Sequence, residues 1–216
     1  MNTKESSIED IKVIRQMMEN SSKFLSLSGL SGIAAGTFAI IGAAIAYFYI
    51  MDAGNTIYDE YLVALKGGNT TNIRMGLLFD ALFVLTGAIA SAWYFSWRKS
   101  KNKQTKFWTP STKKMAWSLS FVLLIGGLFS LILAYHENIR LVGAAMLIFY
   151  GLALINAAKY THRDIQYLGY IEVALGLLAG IFLNYGLLFW TLGFGVFHIV
   201  YGVTMYYKYD REKQQI

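Results

Sequence analysis

Met115–Tyr135 reads MAWSLSFVLLIGGLFSLILAY, an unbroken apolar run without a charged side chain. A hydrocarbon core about 30 Å thick is crossed by roughly 20 apolar residues in a helix. Strands of a membrane barrel alternate in and out with period two. Phe121-Val122-Leu123-Leu124-Ile125 does not alternate, so the run predicts a transmembrane helix.

Five further stretches have the same character, at about 24–50, 75–97, 139–158, 165–183 and 187–207. The sequence therefore predicts an all-α membrane protein: a bundle of six transmembrane helices, preceded by a polar segment 1–23 and followed by a tail 208–216. The chain is 56% hydrophobic and 15% charged, with a positive mean hydropathy. The spans are apolar nearly all round, whereas helices of a soluble domain keep one polar face. The first apolar run is too long for a signal peptide, and four acids lie in the segment before it, so cleavage is not expected. Cysteine is absent, which excludes disulfides and thiolate chemistry.

Charge gives the orientation. Of 19 Lys and Arg residues, 16 fall on one side of the spans. They lie in the N-terminal segment, in the loop Arg98–Lys114, around Lys159 and Arg163, and in the tail. The opposite loops hold only Lys66, Arg74 and Arg140. By the positive-inside rule both termini are expected in the cytoplasm, at the inner membrane. The net charge of +6 is then a topogenic bias. Its dispersed juxtamembrane residues argue against a nucleic-acid partner; the partner expected for the spans is the lipid bilayer.

In segment 1–23, Ser6 and Glu9 have capping-box spacing, and Ile11, Ile14 and Met18 form an apolar stripe. This predicts an amphipathic helix on the membrane or bundle, with a protein partner as the alternative. Tyr58–Lys66, ahead of Gly67-Gly68, predicts a short helix in the long outer loop. Pro110 after Thr109 suits the first turn of span three.

The spans carry a faint repeat. Gly42/Tyr47, Ser130/Tyr135 and Gly180/Tyr185 share one spacing, and Gly87, Gly151 and Gly202 recur in the even spans. The pattern predicts three helical hairpins. Small residues every four positions, Ser28/Gly32/Gly36 in span one and Gly176/Gly180 in span five, allow close helix approach. They predict a central place for span one, or a homo-oligomer seam through spans one and five. The lack of proline inside the spans gives no signal for a broken helix, although glycine permits unwinding.

Three ionisable residues lie within spans: Asp80, Glu172 and His198. A charge at the bilayer centre costs on the order of 3 kcal/mol on insertion scales, so such groups turn inward and mark functional sites or polar clamps. Each shares a helical face with small residues: Asp80 with Gly76 and Gly87, Glu172 with Gly176, His198 with Gly195 and Gly202. Counting equally outward from the turn at Tyr185 sets Glu172 opposite His198. The expected site is an acid–imidazole pair, extended by Asp80 into a ladder for protons or a cation. The equivalent positions in the other hairpins are Ala34, Val122, Phe83 and Leu147, so the repeat itself does not require these charges.

Haem would need two axial histidines. Only His198 is mid-span, with His136 and His162 at the ends, so no cofactor is expected. His136 with Glu137 is a weak pair for a metal, and none is expected. No H-E-x-x-H, G-x-S-x-G or P-loop motif is present, which argues against an enzyme.

The stretch Ser21–Gly32 (SSKFLSLSGLSG), together with the six-span plan, resembles a group of bacterial inner-membrane proteins of unassigned activity. The three-hairpin plan is similar in outline to the HdeD-type acid-resistance membrane proteins. The resemblance implies an inner-membrane location and carries over no functional residue. Two function classes follow. One is a non-enzymatic scaffold, sensor or stress-associated component. The other is a small transporter or channel, proton-coupled through Asp80, Glu172 and His198.

Overall fold

A computed structural model describes residues 28–50, 71–136 and 138–211. The helix expected in 1–23, the one expected at Tyr58–Lys66, Glu137, and the tail beyond Arg211 lie outside the described residues. The chain is a multi-pass membrane protein; its described residues are all-α, with six helices among them long and apolar enough to span a bilayer. They are α1 (Gly29–Ile50), α2 (Thr71–Asn102), α3 (Pro110–Tyr135), α4 (Ile139–Tyr160), α5 (Asp164–Ile181) and α6 (Leu183–Asp210).

Several ends differ from the hydropathy boundaries, each through a polar contact that hydropathy ignores. Helix α3 starts at Pro110 rather than at 115. Thr109 caps it by accepting from Thr112 N (3.1 Å), and the Thr112 hydroxyl donates back to Phe107 O (2.7 Å). Helix α2 runs beyond Trp97 to Asn102, and α6 runs beyond Tyr207 to Asp210. There Lys99 Nζ meets Asp210 Oδ1 at 2.7 Å. The other Asp210 oxygen accepts from Ser28 Oγ (3.0 Å) and Gly29 N (2.9 Å) at the start of α1. This end of the bundle, called the basic end below, is thus tied across three helices. A carboxylate on unpaired N–H groups at a helix start also complements the helix dipole.

Helix order follows from where backbones can touch. Helix α1 lies between α2 and α6. A Cβ on Gly202 would come within 2.5 Å of Ile33 N, and one on Gly36 within 2.6 Å of Gly195 O. Helices α4 and α5 meet in the same way: Gly151 faces Gly169 O, and Gly169 faces Gly151 O. Such backbone contact is how apolar helices associate where lipid gives no hydrophobic drive. The small-residue faces of α1 and α5 are therefore used inside the chain. Helix α3 packs on α4, and α6 rests on both α4 and α5. Helices α2 and α3 occupy the two edges and form no packed seam with each other among the described residues. Their exposed Phe79, Trp93, Trp117 and Leu124 face the lipid.

Candidate functional site: a buried carboxyl–imidazole–phenol centre

The site forms where α4, α5 and α6 meet. Glu172 projects from α5 and is wholly enclosed. On α6 the helix widens to a π-helical stretch over Thr191–Phe197, with Gly193 and Gly195 inside it. The chain widens in the same way at Ala46–Ile50 and Tyr206–Asp210, so this stretch is distinguished by what it holds. Here the absence of a side chain at Gly193 makes room for the carboxylate. A Cβ there would collide with Glu172 Oε2 and press on Leu147 Cδ2 at 2.5 Å. Leu147 closes the site from α4 and is itself fully buried.

His198 follows the widened stretch and is 5% exposed. Its Nδ1 lies 3.0 Å from Gly193 O and 3.3 Å from Glu172 Oε1. Its Nε2 lies 2.7 Å from the Tyr150 hydroxyl of α4. Two acceptors facing Nδ1 place the ring hydrogen there in the neutral imidazole. Nε2 then accepts from the Tyr150 O–H. The Nδ1–H is satisfied by the Gly193 carbonyl, so the 3.3 Å approach of the carboxylate is an ion-pair distance without a hydrogen bond. Neither oxygen of Glu172 has a hydrogen-bond partner.

Aromatic rings wall the centre. Phe194 stacks on His198 (centroids 6.0 Å apart) and lies tilted against Tyr150 (4.9 Å), and Trp190 backs Phe194 (5.1 Å). A buried carboxyl group without donors sits in an expensive position, since burial of a polar group is normally offset by hydrogen bonds. Chemically the arrangement can hold one proton shared among a carboxyl, an imidazole and a phenol. It can pass a proton along the line from the Tyr150 O–H to Nε2 and, in the same relay, from Nδ1 to the Glu172 carboxylate, which leaves the imidazole neutral.

Asp80 does not join this centre. It is half-buried on α2, with its carboxylate near Gly42 of α1, and Gly76 and Gly87 on the same face also meet α1. Helix α1 stands between α2 and α6, so the expected ladder Asp80–His198–Glu172 is not formed. Asp80 Oδ1 is buried without a hydrogen-bond partner. His136 sits at the end of α3, edge-on to Tyr135 (5.2 Å). His162 is buried at the basic end, its ring tilted against that of Tyr209 (4.1 Å). Among the described residues no three His, Asp or Glu side chains converge where a metal ion could sit.

Sequence reasoning missed Tyr150. The parallel between Tyr150-Gly151 and Tyr201-Gly202 was the available signal, and it marks the tyrosines that flank the centre. No protein family, curated protein or solved structure matches the chain.

Proposed function

We propose that this chain is a small proton-coupled transport protein of the inner membrane, with both termini cytoplasmic and the proton held at Glu172, His198 and Tyr150. One observation carries the reading. Glu172 is fully enclosed within a span, accepts no hydrogen bond, and lies 3.3 Å from an imidazole whose far nitrogen is bonded to a phenol. A polar clamp between helices is expected to have its hydrogen bonds made. A group that must gain and lose a proton keeps acceptor capacity free. With one proton shared, carboxyl, imidazole and phenol together are neutral; without it they carry one negative charge. That difference, on the order of 3 kcal/mol for a charge at the bilayer centre, is large enough to bias a helix rearrangement. The charge asymmetry of the loops supports the orientation.

The scaffold or sensor reading has one specific support, the polar ties at the basic end. Asp210 is bound by Ser28, Gly29 and Lys99, and Asp164 by Lys208 and Tyr209. Flux separates the two readings. Purified protein in proteoliposomes, with an internal pH dye, an imposed pH gradient and a clamped membrane potential, is expected to pass protons. Glu172→Gln should lose that flux and Tyr150→Phe should weaken it. Equal rates for wild type, Glu172→Gln and empty vesicles would remove the transport reading.

A further inference from the structure

The buried centre needs a route to one membrane face, and the side chains beside it define one. Tyr201 lies one turn beyond His198 on α6, toward the basic end. Its ring and that of Tyr150 pack against the same core cluster of Leu154, Ala158, Ile165 and Leu168. The Tyr201 hydroxyl oxygen is buried and makes no hydrogen bond. A phenol normally finds a partner when buried, so this oxygen is left free to take one.

Candidate partners lie on both sides of it. The Tyr150 hydroxyl is bonded to His198 Nε2 at 2.7 Å, and the cluster that Tyr150 and Tyr201 share contains Ile165, the residue that follows Asp164 in α5. Asp164 begins α5 at the basic end. Its Oδ2 accepts from the Tyr209 hydroxyl at 2.6 Å and its Oδ1 from Lys208 Nζ at 2.8 Å. His162 lies tilted against Tyr209 beside it. His198 and Tyr201 lie one turn apart on α6, and Tyr209 follows where the helix widens again over Tyr206–Asp210.

We propose that the Glu172–His198–Tyr150 centre exchanges its proton with the basic end of the bundle through the Tyr201 hydroxyl, Asp164 serving as the acceptor at the mouth. This rests on the reading of Glu172 as a proton-binding group. In each hop the Tyr201 oxygen takes a proton on a lone pair and releases its own hydrogen to the next acceptor. The phenol is regenerated and no electrons move. Asp80 has no part in the route, because α1 separates it from α6.

The test is hydrogen–deuterium exchange followed by infrared spectroscopy on the full chain in lipid nanodiscs. The carboxyl C=O band that disappears in Glu172→Gln reports the Glu172 proton, and its shift after transfer to D2O gives the exchange rate. Tyr201→Phe should slow that exchange by about tenfold or more, and Asp164→Asn should slow it as well. Tyr207→Phe, at an exposed position on the same helix, should leave it unchanged. Tyr201→Phe removes an oxygen that holds no hydrogen bond, so the fold is expected to persist; Asp164→Asn tests the route independently. A wild-type exchange rate in both Tyr201→Phe and Asp164→Asn would overturn the route and leave Glu172 as the proton site. A wild-type spectrum with no Glu172 carboxyl band at any pH that preserves the fold would overturn both.

Discussion

Replacing Glu172 with Gln should leave the fold as stable as before or more stable, although it removes one member of a buried ion-pair contact. Were both groups ionised, charges 3.3 Å apart would attract by about 5 kcal/mol at an effective dielectric constant of about 20. Against that stands the removal of two ions from water, which costs several kcal/mol each even after relaxation. Hydrogen bonds usually decide such a balance in favour of a buried pair, and Glu172 has none. Gln keeps the shape, so the space made by Gly193 and Leu147 stays filled and no cavity term arises. Its amide can donate to a nearby carbonyl, which the carboxylate cannot. The expected change therefore runs from about zero to about 3 kcal/mol of added stability, the upper end being the cost of one charge at mid-membrane. Reversible unfolding in mixed micelles, followed by tryptophan fluorescence, measures it. A loss of more than about 2 kcal/mol would mean that the pair holds the helices together, and the argument that Glu172 is kept for proton binding would fall.

The helix seams and caps carry three further expectations. Gly202→Ala forces a methyl group onto the α1 backbone at Ile33 and should destabilise by about 1–3 kcal/mol in the same assay, whereas Gly127→Ala, with nothing within 4 Å, should cost nothing. Thr109→Ala removes the acceptor for Thr112 N at the start of α3 and should cost about 1 kcal/mol, read as loss of amide protection in the first turn of α3. Tyr150→Phe withdraws the hydroxyl from His198 Nε2, so the 15N resonances of the His198 ring should move at fixed pH; unchanged resonances would mean the bond is not made.

Much of the fold could be read from the chain because its causes are local. An apolar run such as Met115–Tyr135 must be helical to satisfy its backbone in lipid. The spacing of Glu172 and His198 was legible for a related reason. A short turn at Tyr185 makes α5 and α6 antiparallel, so equal counts from the turn reach equal depth. Asp80 went wrong where depth was not enough. Its face was read correctly, since Gly76, Asp80 and Gly87 all look at α1. Hydropathy does not say which helix stands next to which, and α1 intervenes. Tyr150 was hidden by number, as one of 15 tyrosines on a hairpin other than that of its partner. The widened turn over Thr191–Phe197 left only the pair Gly193 and Gly195 as a trace, because proline, the usual marker of an interrupted helix, is absent from it.

The glycines of α6 link the centre to the rest of the bundle. Gly193 admits the Glu172 carboxylate, while, within the next three turns, Gly195 admits the Ile40 side chain of α1 and Gly202 the α1 backbone. The same helix therefore bears His198, 3.3 Å from the Glu172 carboxylate, and the contacts that hold α1. Close backbone contact leaves little slack, since a packed seam shifts as a unit rather than deforming gradually. A charge appearing at Glu172 acts first on the widened stretch, where Gly193 O and Nδ1 of His198 meet at 3.0 Å. If Glu172 draws the Nδ1 hydrogen toward itself, the Gly193 carbonyl loses its donor. Any coupling of a proton at Glu172 to the winding of α6 would therefore run through Gly193, whose carbonyl meets His198 and whose missing side chain admits the carboxylate.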